Sequence, residues 1–127
     1  MLELDLGALA RLVESLDYRP LFVTVSGAHL YGFPSTDSDV DLRGCHQLPL
    51  QDVVGLNMPV QTLERKIDHD GTEVELVSHE VGKYLRLLLR NNGYILEQIF
   101  SPIVVAGQDI LDELRPLARQ CITRHHY

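Results

Sequence analysis

The 127-residue sequence predicts an α+β domain, a mixed β-sheet flanked by helices. Three observations carry that prediction. An amphipathic helical pattern opens the chain, β-rich runs and a hairpin signal fill its middle, and helical spacing dominates its last third. The length suits one domain with one core, assigned here to residues 1–127.

Taken in order, Leu6, Leu9, Leu12, Val13 and Leu16 recur at helical spacing, which predicts a first helix over about Leu4 to Leu16. Pro20 closes that segment, and Leu21-Phe22-Val23-Thr24-Val25 is a short run suited to a buried strand. Gly27 to Gly32 forms a turn with room for one turn of helix, and Phe33-Pro34-Ser35-Thr36-Asp37 forms a loop. A second strand carries Asp39 and Asp41 and ends at Gly44. The stretch from Cys45 to Pro59 mixes turn formers with short apolar pieces and takes no assignment. Val60 to Ile67 and Thr72 to Val77 read as strands, joined by Asp68-His69-Asp70-Gly71, whose Asp-Gly pair favours a hairpin. Val81, Tyr84, Leu85 and Leu88 give a helix from Glu80 to Arg90, ended by Asn91-Asn92-Gly93, and Ile95 to Phe100 is a second, short one. After Ser101-Pro102 and a short apolar run, Asp109 to Ile122 makes a last helix with a kink or break at Pro116.

Composition narrows the function classes. An apolar fraction of 45% with 23% charged residues is that of an ordinary soluble domain. No apolar run approaches the ~20 residues that cross a bilayer, and the start has no basic segment followed by an apolar one, so a cytoplasmic location is expected and no membrane partner. The net charge of −7 argues against extensive unaided contact with a phosphate backbone and favours a small phosphorylated ligand. Cys45 and Cys121 fit no metal-ligand spacing and read as small apolar residues.

The chemistry concentrates in Val25-Ser26-Gly27-Ala28-His29-Leu30-Tyr31-Gly32 and Ser38-Asp39-Val40-Asp41-Leu42-Arg43-Gly44. Side chains alternate along a strand, so Asp39 and Asp41 share one face while Val40 and Leu42 face the core. Two like charges on one face are costly unless a cation neutralises them, and hard divalent cations prefer carboxylate oxygens. Gly27 follows a buried strand, where backbone amides can approach phosphate oxygens, and Ser26 offers a hydroxyl. A tight structural turn is the more common use of such a glycine. Glu73 and Glu75 share a face of their strand and meet the aspartates if the strands are neighbours; otherwise they form a solvated edge. Arg43, on the acid face, serves either as a phosphate ligand or as a counter-ion. Lys83, Arg86 and Arg90 form a basic helix stripe, with Lys83 the expected ligand contact and a solvated face the plain alternative.

Together, Ser-Gly-Ala-His-Leu-Tyr-Gly, Ser-Asp-Val-Asp-Leu-Arg-Gly and Glu-Val-Glu-Leu-Val resemble the DNA polymerase beta-like nucleotidyltransferase superfamily, and within it the RNA-repair-pathway DNA polymerase beta family. Lys83 to Leu89, followed by Asn91 and Leu96-Glu97, looks like that family's helical segment. The resemblance implies a polymerase beta-like fold, a pair of Mg²⁺ or Mn²⁺ ions, and nucleotidyl transfer from a nucleoside triphosphate to a hydroxyl, on a nucleic-acid end or on a protein. It makes Asp39 and Asp41 the metal pair, Glu75 the third carboxylate with Glu73 as fallback, and Gly27 the glycine of a Gly-Ser motif. Ala28 stands where the superfamily usually has serine, so Ser26 or backbone amides take over phosphate binding. That departure also admits a nucleotide-binding or antitoxin-like module with little turnover. The family continues into further helices, which makes this chain a minimal or a truncated version.

Overall fold

The computed structural model describes residues 6–26, 40–48, 60–69, 72–90 and 92–125. The helical stripe at the start becomes α1 (Leu6–Glu14), which buries Ala8, Leu9, Leu12 and Val13. Pro20 opens β1 (Pro20–Ser26) instead of merely preceding it, at a first-strand position where its missing N–H is tolerated. Next come β2 (Val40–His46), β3 (Thr62–His69) and β4 (Thr72–Glu80). The chain continues through α2 (Val81–Leu89), α3 (Gly93–Ile99), β5 (Val104–Ala106) and α4 (Gln108–His125).

The strands lie in the order β3-β4-β2-β1-β5. β2 and β4 run parallel, while β1–β2, β3–β4 and β1–β5 are antiparallel, so the sheet is mixed as expected. Its two faces bury different cores. Leu9, Leu12 and Val13 of α1 pack on Val23, Val25, Val40, Leu42, Val74 and Leu76. On the other face, Tyr84 and Leu88 of α2, Ile95 and Ile99 of α3, and Leu111 and Ala118 of α4 pack around Phe22 and Cys45. β1 is therefore covered on both sides, which is why its sequence is a continuous apolar run broken only by Thr24. That threonine is satisfied, since its hydroxyl donates to the Gln98 carbonyl at 3.0 Å.

Three elements depart from the sequence reading. Gly44 does not end β2. A Cβ there would stand 2.8 Å from the Phe22 carbonyl oxygen, so glycine permits the close approach of β1 while the strand runs on to His46. The apolar run after Pro102 is β5, an edge strand three residues long and too short for periodicity to reveal. Finally, α4 runs unbroken for 18 residues through Pro116. The proline removes one backbone hydrogen bond, but Leu111 and Ala118, both fully buried, hold the helix to the core on either side of it. Among the described residues no helix is long and apolar enough to cross a membrane.

Candidate functional site

Strand register assembles the site. Ser26 of β1 stands opposite Asp41 of β2, and Asp41 stands opposite Glu75 of β4. With neighbouring strands ~4.8 Å apart, these three form a row perpendicular to the strands. Val40, Leu42, Val74 and Leu76 belong to the core beneath α1, so alternation turns Asp41 and Glu75 to the face that carries α2, α3 and α4. The strands bearing the two acids are thus neighbours. Register puts Glu75 beside Asp41, whereas Glu73 lies two residues back along β4, opposite Asp68. Asp39, Gly27 and Ala28 lie outside the described residues.

Two aligned carboxylates on one face repel, and Arg43 answers part of that charge. Its guanidinium approaches the Glu75 carboxylate at 3.8 Å and donates to the Leu42 and Glu75 carbonyls at 2.9 and 3.4 Å. The side chains of Arg43 and Glu75 retain 23% and 32% exposure, so the pair is only partly withdrawn from water. Of the two readings of Arg43, the counter-ion contact is the one present in the structure.

Two further residues join the row; the sequence reading named Glu97 only as part of the family-like helical segment, and Lys66 not at all. Lys66 of β3 stands opposite Glu75. Register arithmetic finds it, because the hairpin that pairs His69 with Thr72 also pairs Lys66 with Glu75. Glu97 of α3 accepts a hydrogen bond from the Ser26 hydroxyl at 3.2 Å. No local signal locates it, since periodicity says that α3 is a helix but not which strand it crosses.

Lys83 stands apart from the row. It sits in the first turn of α2, and its ammonium donates to the Thr62 hydroxyl at 2.6 Å, in a cluster where Thr62 also bonds His79 Nδ1 at 3.0 Å. Five residue steps along β4 separate Glu75 from the Glu80 cap of α2, roughly 16 Å at ~3.3 Å per residue. The structure therefore places Lys83 at the far end of β4 from the acids, because α2 starts only where β4 stops. Arg86, of the same stripe, bonds Gln61 at 3.3 Å. Two surface concavities, of about 450 and 740 Å³, also adjoin Pro20, at the opposite end of β1 from Ser26.

Among the described residues no three His, Cys, Asp or Glu side chains are grouped to hold a metal ion. Asp41 and Glu75 bring carboxylate oxygens, hard donors, to adjacent strands. That donor type fits Mg²⁺, which is commonly held by one or two carboxylates together with water and substrate phosphates.

The model of the RNA repair pathway DNA polymerase beta family matches residues 1–127. The chain belongs to that family. It is 33% identical over 111 residues to protein MJ0002 of Methanocaldococcus jannaschii, a match covering 85% of this chain and 45% of MJ0002. It is 30% identical over 96 residues to YcgL of Bacillus subtilis, covering 76% of this chain and 36% of YcgL. The chain thus spans less than half the length of these curated relatives. No solved structure matches it. The family expected from the motifs is the family found, and it is a polymerase beta-like one.

Proposed function

We propose that this chain is a metal-dependent nucleotidyltransferase, moving a nucleotidyl group from a nucleoside or deoxynucleoside triphosphate to a hydroxyl acceptor. The observation that carries the reading is the Ser26–Asp41–Glu75 row, in a chain whose family is polymerase beta-like. In the reaction, an acceptor oxygen–phosphorus bond forms at the α-phosphate, the bond to pyrophosphate breaks, and the acceptor proton is lost. Asp39, Asp41 and Glu75 would hold a pair of Mg²⁺ or Mn²⁺ ions. Such ions, when bound, neutralise the triphosphate and polarise the attacking hydroxyl.

The remaining work belongs to the chain itself. Glu75 orients the acceptor hydroxyl or takes its proton, and Arg43 holds that carboxylate in place. Backbone amides at Gly27 and Ala28 would bind the phosphates, in place of the serine hydroxyl that Ala28 lacks. Lys66, next in the row, supplies a positive charge for the triphosphate in place of Lys83. The acceptor is a DNA or RNA end or a protein hydroxyl.

The test is incubation with each labelled NTP and dNTP plus Mg²⁺ or Mn²⁺, offering DNA, RNA and protein acceptors and weighing the products. Wild type transfers the label, and Asp41→Asn loses at least ~10³-fold, the scale of removing a group that acts on transition-state charge. Comparable transfer by a purified, folded Asp41→Asn would defeat the proposal. Triphosphate binding by wild type with no product on any acceptor would favour the binding module that Ala28 suggests.

A further inference from the structure

Glu97 is placed by packing rather than by strand register. Asn92 caps α3 by accepting from the Tyr94 and Ile95 amides at 3.0 and 3.2 Å, and Ile95, Gln98 and Ile99 bury the inner side of that helix. Thr24 bonds the Gln98 carbonyl, so α3 is docked on the helix-covered face of β1. Two residues further along the same face of β1 comes Ser26, and there Glu97 accepts a hydrogen bond from its hydroxyl.

The segment after α3 grips the same strand end. The Ser101 hydroxyl donates to the Val25 carbonyl at 2.8 Å, and the Val25 amide donates to the Ile103 carbonyl at 2.9 Å. Thr24, Val25 and Ser26 are therefore each held by a group between Glu97 and Ile103, at the end of β1. Of these bonds, the Glu97 one reaches the last strand residue, which stands opposite Asp41.

This bond also changes what Ser26 can do. A serine hydroxyl has one proton to donate. While that hydrogen bond to Glu97 is made, the Ser26 hydroxyl has no second proton to offer a phosphate. Its contribution is then to fix the strand residue opposite Asp41.

The geometry points to Glu97 as a positioning residue of the nucleotidyl-transfer site, which acts through Ser26 to hold the end of β1 in line with Asp41. This rests on the nucleotidyltransferase reading above. Glu97 then governs how well triphosphate is held and leaves the chemical step alone.

A double-mutant cycle on the full chain tests it. Binding of each NTP in the presence of MnCl₂ is measured by calorimetry for wild type, Ser26→Ala, Glu97→Ala, Glu97→Gln, Ser26→Ala/Glu97→Ala and Asp41→Asn. Ser26→Ala and Glu97→Ala each weaken binding about tenfold, the scale of one hydrogen bond to a charged group. The double mutant is no weaker than either single one, because both remove the same bond. Glu97→Gln keeps an acceptor oxygen and stays within about threefold of wild type. In transfer assays KM rises and kcat holds, a split that general loss of fold would not give.

Losses that multiply in the double mutant, or a Glu97→Gln as damaged as Glu97→Ala, would show Glu97 acting directly as a charge and overturn the proposal. So would wild-type binding by Glu97→Ala. If Glu97→Ala fails to fold, Ser26→Ala and Glu97→Gln decide alone, and an undiminished Ser26→Ala overturns it. When Asp41→Asn loses transfer but the cycle shows no coupling, only the role of Glu97 falls. If wild type binds no triphosphate, both readings fall together.

Discussion

Replacing Arg43 with methionine separates its two possible roles. The side chain keeps an apolar stem of similar length, while Glu75 loses its guanidinium partner at 3.8 Å. Asp41 and Glu75 then face each other across adjacent strands with charge centres roughly 6 Å apart. Coulomb's law gives about 2.8 kcal/mol of repulsion at an effective dielectric of ~20 and about 0.7 at ~80. That repulsion is present with or without Arg43; what the substitution removes is the guanidinium attraction that offsets it, about 0.7 kcal/mol for a partly exposed pair. Arg43→Met should thus destabilise the metal-free chain by about 0.7 kcal/mol in low salt, a fall in Tm of roughly 3 °C. Urea titration at pH 7.5, with and without 10 mM MgCl₂ (about a tenth of physiological ionic strength being kept as background), reads the effect. Mg²⁺ should return at least half of the loss by neutralising the acids, and Asp41→Asn in the same background should return most of it. Unchanged stability, or a loss that neither Mg²⁺ nor Asp41→Asn relieves, would refute the counter-ion argument. A raised KM for triphosphate with intact stability would instead make Arg43 a phosphate ligand.

Three other outcomes follow from the same geometry. His46 is 2% exposed, shares a hydrogen bond with Ser78 at 2.7 Å, and burial pushes its imidazole below the ordinary 6.5; burial and neighbouring Lys83 do the same for His79. The unfolded chain therefore takes up protons first, so stability is full above about pH 7 and falls as pH drops below ~6.5, with a shallower slope in His46→Gln when urea midpoints are compared from pH 7.5 to 5.5. Gly107→Ala should cost about 3 kcal/mol in urea unfolding, since φ there is +79° and a Cβ would strike the Leu21 carbonyl and the Phe22 backbone. Lys66→Ala should raise the triphosphate KM about fivefold in steady-state transfer, while Lys83→Ala, far along β4, should leave KM unchanged and lower Tm by a few degrees through loss of its Thr62 bond.

Much of this fold is written in local pattern. The leucine stripe of α1, the alternation of Val40 and Leu42 with Asp41 and Arg43, and that of Val74 and Leu76 with Glu73 and Glu75 report which faces are buried. Burial imposes a period of two on a strand and 3.6 on a helix, so neighbours in sequence suffice to read it. The acid face of β2 was legible for the same reason. Gly44, Pro116 and β5 were not, because each depends on what lies opposite: the Phe22 carbonyl, the core beneath Leu111 and Ala118, and the edge of β1.

The candidate site divides along the same line. Its residue types, two spaced carboxylates near a glycine turn and a later acidic strand, are local and were evident at once. Which glutamate meets Asp41, which lysine stands by the acids, and which helix reaches Ser26 are matters of strand order and docking. Parallel pairing of β2 with β4 aligns Asp41 with Glu75, and the start of α2 beyond Glu80 carries Lys83 away from them. Contacts between residues 71 positions apart, such as Ser26 and Glu97, leave no periodic trace in the chain. They arise only when α3 buries Ile95 and Ile99 against β1 and carries Glu97 to the end of the strand.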